Sequence, residues 1–354
     1  MLAQHILVQY IRKKSLKWSS LVNHPDYPTL FINDDHVAKL ATWPSAIEAL
    51  NEAYKQPISA AMVPPRTMAR GEGFWLRSLC AVSPSKQYMG CKLIAASPKN
   101  KKASYLISLF DQDTMRLAAI VDGNRITDIR TAASSAVAVD AIATSEQLEV
   151  AVLGSSALAR SHLHALNVID RIGKIRVYSP TAANREKLAQ EFSALYGLDI
   201  QAVDSPEEAV KHANVVVCAS RSRDGGPVFN AAWLEAGMTI VSVSSTLPEQ
   251  REIDVETMKQ ASLIVADMPE EVLHETGDAL VAIEAGCDVA AKTVSLASVV
   301  SGQVQVRQNP TDIVIYKSVG SALQDIVTAE MLLRNAKSSG LYQEMQESIV
   351  TIDR

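Results

Sequence analysis

Four cations and one glycine turn are the places where side-chain type and spacing in this chain point to chemistry. Arg66 follows Val63-Pro64-Pro65, and Lys92 sits inside the apolar run Met89-Gly90-Cys91-Lys92-Leu93-Ile94-Ala95. Arg130 stands where a predicted strand gives way to a helix, and Arg77, in Phe74-Trp75-Leu76-Arg77, is the fourth. A charge inside a strand core is costly unless it is paired. Each of these cations is therefore a surface charge, half of a structural ion pair, or a receptor for an anionic ligand. The turn is Gly154-Ser155-Ser156-Ala157-Leu158-Ala159, where an apolar strand over 148–154 runs into a helical pattern that reaches Val168. Such a turn aims free backbone N–H groups and the positive end of a helix at one point, which suits a pyrophosphate. It departs from the G-x-G-x-x-G/A fingerprint at Ser156, which stands where the second glycine would let phosphates approach. The Ser156 hydroxyl can instead donate to a phosphate oxygen; an ordinary strand-turn-helix is the alternative.

The elements around the turn have the rhythm of a doubly wound α/β unit. Lys174 to Ser179 reads as a strand, Thr181 to Tyr196 as a helix, and Asp199 to Val203 as a third strand. Ser205-Pro206-Glu207-Glu208 is a capping box with proline at the first helical position. Asn214 to Ala219, Met238 to Val243 and Leu263 to Ala266 complete six strands. Near-continuous Val/Ile runs between amphipathic helices are what a parallel sheet buried on both faces requires. Residues 25–130 read differently. An amphipathic helix, Trp43 to Lys55, precedes extended segments at Trp75 to Val82, Gly90 to Ala95, Tyr105 to Phe110 and Leu117 to Asp122. Turn signals at Asp111 to Met115 and at Asp122-Gly123-Asn124 suggest an antiparallel sheet. A helix of small residues then runs to Ala143.

The 354 residues suffice for two domains, and 47% apolar with 21% charged residues is ordinary for a globular chain. A net charge of −5 leaves no footprint for nucleic acid, and Arg12-Lys13-Lys14 and Lys99 to Lys102 read as short solvated clusters. No apolar run approaches a membrane span. The apolar stretch His5 to Tyr10 precedes its cations, the wrong order for a secretory signal. The cysteines Cys80, Cys91, Cys218 and Cys287 form no C-x-x-C pair and read as buried free thiols in a reducing cytoplasm. The histidines show no metal-ligand spacing, so no metal is expected.

Taken together, Pro64-Pro65-Arg66-Thr67, Gly90-Cys91-Lys92 with Ser97-Pro98-Lys99-Asn100, and Ile126-Thr127-Asp128-Ile129-Arg130-Thr131-Ala132-Ala133 resemble the ornithine cyclodeaminase/mu-crystallin family. Pro227-Val228-Phe229, Pro248, Arg251-Glu252-Ile253-Asp254 and Lys317-Ser318-Val319-Gly320 follow in the family's order. The resemblance implies a Rossmann-type doubly wound sheet over 129–311, inserted in an α+β substrate and dimerisation domain of residues 1–128 plus 312–354. It also implies a homodimer and a bound NAD or NADP. It implies that Arg66, Lys92 and Arg130 meet the carboxylate of a small amino or imino acid, with Arg77 and Val319 beside it. Lys92 would polarise or protonate a carbonyl or imine, a role suited to a desolvated amine. Arg130, Thr131, Gly154, Ser155, Ser156, Ala157, Ser179, Thr181, Arg185, Ser220, Val243 and Ser318 would line the cofactor. Two departures from the family pattern matter. Ser179-Pro180-Thr181 carries no carboxylate to repel a 2′-phosphate, which favours NADPH while leaving NAD open. Ser244-Ser245-Thr246-Leu247-Pro248 places Thr246 where cyclodeaminases carry a catalytic Asp, and a threonine is no carboxylate base. The expected activity is NAD(P)H-dependent reduction of an imino or oxo acid, or of a cyclic imine carboxylate, with Lys92 and Thr246 at the reacting centre. A cyclodeaminase-type lyase, a siderophore-pathway dehydrogenase of an amino-acid conjugate in which Arg77 holds a second carboxylate, and a non-enzymatic crystallin-like binding protein are the alternatives.

Overall fold

The computed structural model describes residues 28–220, 225–345, 349 and 351, so the segments His5 to Tyr10 and Arg12-Lys13-Lys14 lie outside the described residues. Two sheets organise the chain. The first takes β1 (Leu30–Ile32), β2 (Thr67–Gly71), β3 (Phe74–Val82), β4 (Tyr88–Ser97), β5 (Lys102–Asp111) and β6 (Leu117–Asp122), with a two-residue strand, Gln343–Glu344, at one edge. From β2 to β6 every pairing is antiparallel, and Asp111 turns the last hairpin by accepting from the backbone N–H groups of Asp113 and Thr114. The expectation of a purely antiparallel sheet needs one correction: β1 joins parallel to β6. Three residues, Leu30-Phe31-Ile32, are too short a run to announce a strand by periodicity.

Side chains alternate across this sheet as its pleat demands. Leu79, Ala81, Lys92, Ile94, Ile107 and Leu109 point inward and are buried, whereas Leu76, Cys80, Leu93 and Leu106 point outward and are exposed. On the inner face lies the helix Ala322–Ser339, with every residue from Ala322 to Leu333 buried. It packs on β3, β4 and β5 and on the helices Trp43–Tyr54 and Asn124–Ile142. Ser321 caps it with a full capping box completed by Gln324, and Gly340 closes it in the left-handed region.

The second sheet is parallel throughout and has eight strands: β7 (Leu148–Leu153), β8 (Ile172–Tyr178), β9 (Asp199–Ala202), β10 (Val215–Cys218), β11 (Thr239–Ser242), β12 (Leu263–Ala266), β13 (Thr293–Ser295) and β14 (Val314–Lys317). Their spatial order is β13-β12-β14-β11-β10-β7-β8-β9. The chain winds outward from β7 to β9, then returns to β10 on the other side, so the order reverses between β7 and β10. In open α/β sheets ligands bind at that reversal, outside the carboxyl ends of the strands. β10, β11 and β14 are buried along their whole length, which fits the Val/Ile residues at their centres.

The crossings between the lobes fall elsewhere than at the expected 128/129 and 311/312. Asn124–Ile142 is one continuous helix spanning the first crossing, so Arg130 sits within a helix rather than at a strand-to-helix junction. Asp122-Gly123-Asn124 leads from β6 directly into this helix, with Gly123 as its N-cap. β14 lies inside the parallel sheet between β11 and β12, so the chain leaves this lobe only after Lys317. The cysteines also differ from expectation. Cys218 and Cys287 are buried, but Cys80 is exposed and Cys91 half-buried, facing each other across β3 and β4.

Candidate functional site

The turn after β7 is built by backbone. Gly154 has φ +139°, and a Cβ there would lie 2.6 Å from the Ala219 carbonyl oxygen, so only glycine lets the β7 and β10 ends approach this closely. Ser156 donates its hydroxyl to the same Ala219 oxygen at 3.2 Å. It N-caps the helix Ala157–Leu166 without a side-chain capping bond, which leaves the first-turn amides open. Ser155 is half-buried, and Ser156 and Ala157 are exposed at this opening. Ser220 stands across from Gly154, its Cβ 3.2 Å from where a glycine substituent would project. Val243, just past β11, is buried at the same edge. Thr131 is buried within its helix and donates to the Thr127 carbonyl at 2.7 Å. An uncapped helix N-terminus beside a close backbone approach fits the diphosphate of a nicotinamide dinucleotide.

At the end of β8, Ser179 is buried and Thr181 exposed, and the segment Ser179-Pro180-Thr181 carries no carboxylate. Arg185 reaches back to donate to the Ser179 carbonyl at 3.0 Å and pairs with the Asp204 carboxylate. It stiffens the loop and brings a carboxylate partner of its own.

The cations assemble around the C-terminal helix. Lys92 is fully buried; its Nζ donates to Asp325 Oδ1 at 2.9 Å and to Thr127 Oγ1 at 2.8 Å. Arg130 places Nε 3.2 Å from the same Asp325 oxygen and donates from Nη1 to Gln324 Oε1 at 2.8 Å. Burial lowers the Lys92 pKa, Asp325 raises it, and Arg130 and Arg66 lower it further. Arg66 pairs with the Glu271 carboxylate and reaches the carbonyls of Val319 and Gly320 at 3.5 and 3.4 Å. Burial, with neighbouring Arg77, brings its pKa down to about 10. Gly320 joins the two arginines. Its φ is +83°, and a Cβ there would meet the Arg130 guanidinium at 2.5–2.9 Å. The three expected cations are thus brought together.

Arg77 lies on the same inner face. Leu79 is opposite Lys92 and Arg77 opposite Ile94, one diagonal step along the sheet. Its guanidinium lies over the Trp75 ring at 5.2 Å, and its buried Nε has no hydrogen-bond partner.

Two buried acidic groups hold the floor of the site. Asp267, one residue past β12, accepts from Ser318 Oγ (2.6 Å), Val319 N (3.0 Å), Gly320 N (2.9 Å) and Gln324 Nε2 (3.1 Å). The Ser318 hydroxyl is therefore turned toward Asp267, and Val319 offers its carbonyl to Arg66. Beneath the Thr246 loop, Lys317 Nζ meets Asp278 at 2.7 Å, Ser242 Oγ at 2.8 Å and the Ser245 carbonyl at 2.9 Å. Glu252 accepts from Ser242 Oγ at 2.6 Å and from Ser244 N at 2.9 Å, and burial raises its pKa. Thr246 itself is half-buried and donates from its backbone to Gln250 Oε1 at 3.2 Å.

Asp325, Asp267, Glu271 and Gly320 were absent from the expected set. Gln324-Asp325 did carry a signal, a polar pair flanked by Ala322-Leu323 and Ile326-Val327. Asp267 stands at the carboxyl end of a parallel strand, where such folds place ligand-facing groups. Among the described residues no group of three or more His, Cys, Asp or Glu side chains is placed to hold a metal, and no helix is long and apolar enough to cross a membrane.

Known proteins resemble this chain in sequence and fold. Ketimine reductase mu-crystallin of Rattus norvegicus is 33% identical over 300 residues, covering 82% of this chain and 90% of its own. The structure of Thermococcus litoralis Delta(1)-pyrroline-2-carboxylate reductase in complex with NADH and L-proline superposes with a TM-score of 0.81 at 27% identity, covering 90% of this chain and all of the other. An archaeal alanine dehydrogenase dimer with bound NAD superposes with a TM-score of 0.78 at 26% identity, covering 90% and 99%. The model of the ornithine cyclodeaminase/mu-crystallin family matches residues 29–340. By its sequence, its inserted dinucleotide-type sheet and the cations gathered beside it, the chain belongs to the ornithine cyclodeaminase/mu-crystallin family.

Proposed function

We propose that the protein reduces the C=N bond of a small 2-imino acid, or of a cyclic imine carboxylate, with a nicotinamide dinucleotide as reductant. The observation that carries this reading is the gathering of Lys92, Arg130 and Arg66 around Gly320 and Asp325, off the carboxyl ends of β12 and β14. Arg66 and Arg130 orient the substrate carboxylate; Glu271 aims the first and Gln324 the second. Lys92 commits two of its three N–H bonds to Thr127 and Asp325, and the third is left to protonate the imine nitrogen. A bound reduced nicotinamide supplies the hydride for the adjacent carbon. Removal of ammonia needs a carboxylate base to move several protons; Thr246 offers a hydroxyl, so reduction is favoured over cyclodeamination. Val243, Ser220, Ser318 and Thr131 support the cofactor through the backbone they fix.

For the cofactor we favour NADPH over NADH, because Ser179-Pro180-Thr181 at the end of β8 has no acidic side chain of its own; Arg185 behind it is paired with Asp204. The exposed outward leucines Leu76, Leu93 and Leu106 support a homodimer formed through that sheet face. The four unbridged thiols fit a cytoplasmic setting. The test is a panel of cyclic imine carboxylates, open imino acids and oxo acids with ammonia, scored by NADPH against NADH oxidation. Turnover of the imines confirms the reading; ammonia release from ornithine without added nicotinamide, and no imine reduction, overturns it.

A further inference from the structure

An ammonium inside the apolar strand β4 needs a counter-charge. The structure supplies one from far along the chain. Asp325 sits in the first turn of the helix Ala322–Ser339, wholly buried, and Oδ1 touches both Lys92 Nζ and Arg130 Nε. Its other oxygen, Oδ2, has no hydrogen-bond partner. A carboxylate left with an unused oxygen in the interior is retained for its charge and position, since burial otherwise opposes it.

We propose that Asp325 is a positioning residue that holds Lys92 as an aimed ammonium, a role that rests on the imine-reducing function proposed above. Other groups face Lys92 from every packed element: Thr127, Asp128 and Arg130 from the helix Asn124–Ile142, Arg66 from the segment before β2, and Tyr105 from β5, whose ring is 5.3 Å from Nζ. Arg66 and Arg130 repel the ammonium, and burial disfavours it. Asp128, on the helix flank, feels the Lys92 charge without hydrogen-bonding to it. Asp325 is the carboxylate in contact with Nζ. It therefore favours the protonated amine and, with Thr127, fixes two of its N–H directions, so that the third is presented to the substrate.

The sign of the pH effect follows. Proton donation needs the ammonium, so activity falls as pH rises through the Lys92 pKa, which burial has moved below the ordinary lysine value of 10.5. Without the adjacent anion the same limb moves further down, by about 1 to 3 pH units for an opposite charge at this distance. The experiment compares wild type, Asp325→Asn and Asp325→Glu. It follows imine reduction across pH, and by calorimetry the binding of pyrrole-2-carboxylate, a flat acid without a reducible bond. Asp325→Asn is expected to shift the basic limb of kcat/KM and of acid binding downward, with dinucleotide affinity unchanged. Asp325→Glu is expected to keep the limb near its wild-type position while kcat falls, because charge is retained and aim is lost. A uniform loss at all pH values in Asp325→Asn, or an equal limb shift in Asp325→Glu, overturns the proposal. Should wild type reduce no imine, the function proposed above fails, and the binding profile still decides the role of Asp325.

Discussion

The two halves of the site are made of different materials. The dinucleotide turn is backbone: Gly154, the Ala219 carbonyl and the open amides of one helix, all set by residues within a short span and one neighbouring strand. The proposed acid clamp is side chain: Arg66, Lys92, Arg130 and Asp325 come from four separate segments, with Arg66 paired to Glu271 and Lys92 and Arg130 sharing Asp325. A backbone site fails by steric intrusion. A clamp fails by loss of charge, and one of its pairs, Arg66 with Glu271, also ties the first sheet's segment to the second lobe.

The sharpest way to break this contrast is Lys92→Ala. It should lower kcat/KM by roughly a hundred- to ten-thousand-fold, the span for a lost proton donor, while nicotinamide fluorescence shows dinucleotide binding intact. It should also destabilise the fold, because Asp325 keeps only Arg130; breaking a buried pair costs about 3–5 kcal/mol, readable as a lower thermal midpoint. Undiminished turnover would reject the clamp. Gly154→Ala attacks the other half. Strained backbone at such a position costs about 1–3 kcal/mol, so dinucleotide affinity should weaken by roughly ten- to a hundredfold; an unchanged dissociation constant would show that the turn does not carry the cofactor. Gly320→Ala tests the one glycine that belongs to the clamp. Pushing on the Arg130 guanidinium should raise KM for the acid about tenfold, about 1.4 kcal/mol, without touching dinucleotide binding. The smallest effect is expected from Arg185→Ala, a fewfold drop in the ratio of NADPH to NADH efficiency. An unchanged ratio would remove Arg185 from the proposal on cofactor choice.

The same contrast explains what could be read from the sequence. Gly154 and its strand-turn-helix setting are local, and the parallel strands announce themselves by unbroken Val/Ile runs, so the α/β lobe was legible. Lys92 was legible because an ammonium inside an apolar strand demands a partner. The partner was not, since Asp325 lies 233 positions away and only the fold decides which buried carboxylate meets which buried amine. β14 was missed for a related reason. Val314–Lys317 is short, ends in a lysine and follows a polar loop, and its place between β11 and β12 is a property of the sheet. Arg130 was placed one element too early because Gly123, read as a turn residue, begins a helix directly.

The late arrival of β14 has a mechanical meaning. A single stretch of chain leaves the nucleotide lobe at Lys317, passes Val319 and Gly320 under the two arginines, and within a few residues delivers Asp325 to the other lobe. If the acid binds as proposed, one short connection would both join the two sheets and line the receptor, so a shift of one sheet against the other would also move the groups that hold the acid.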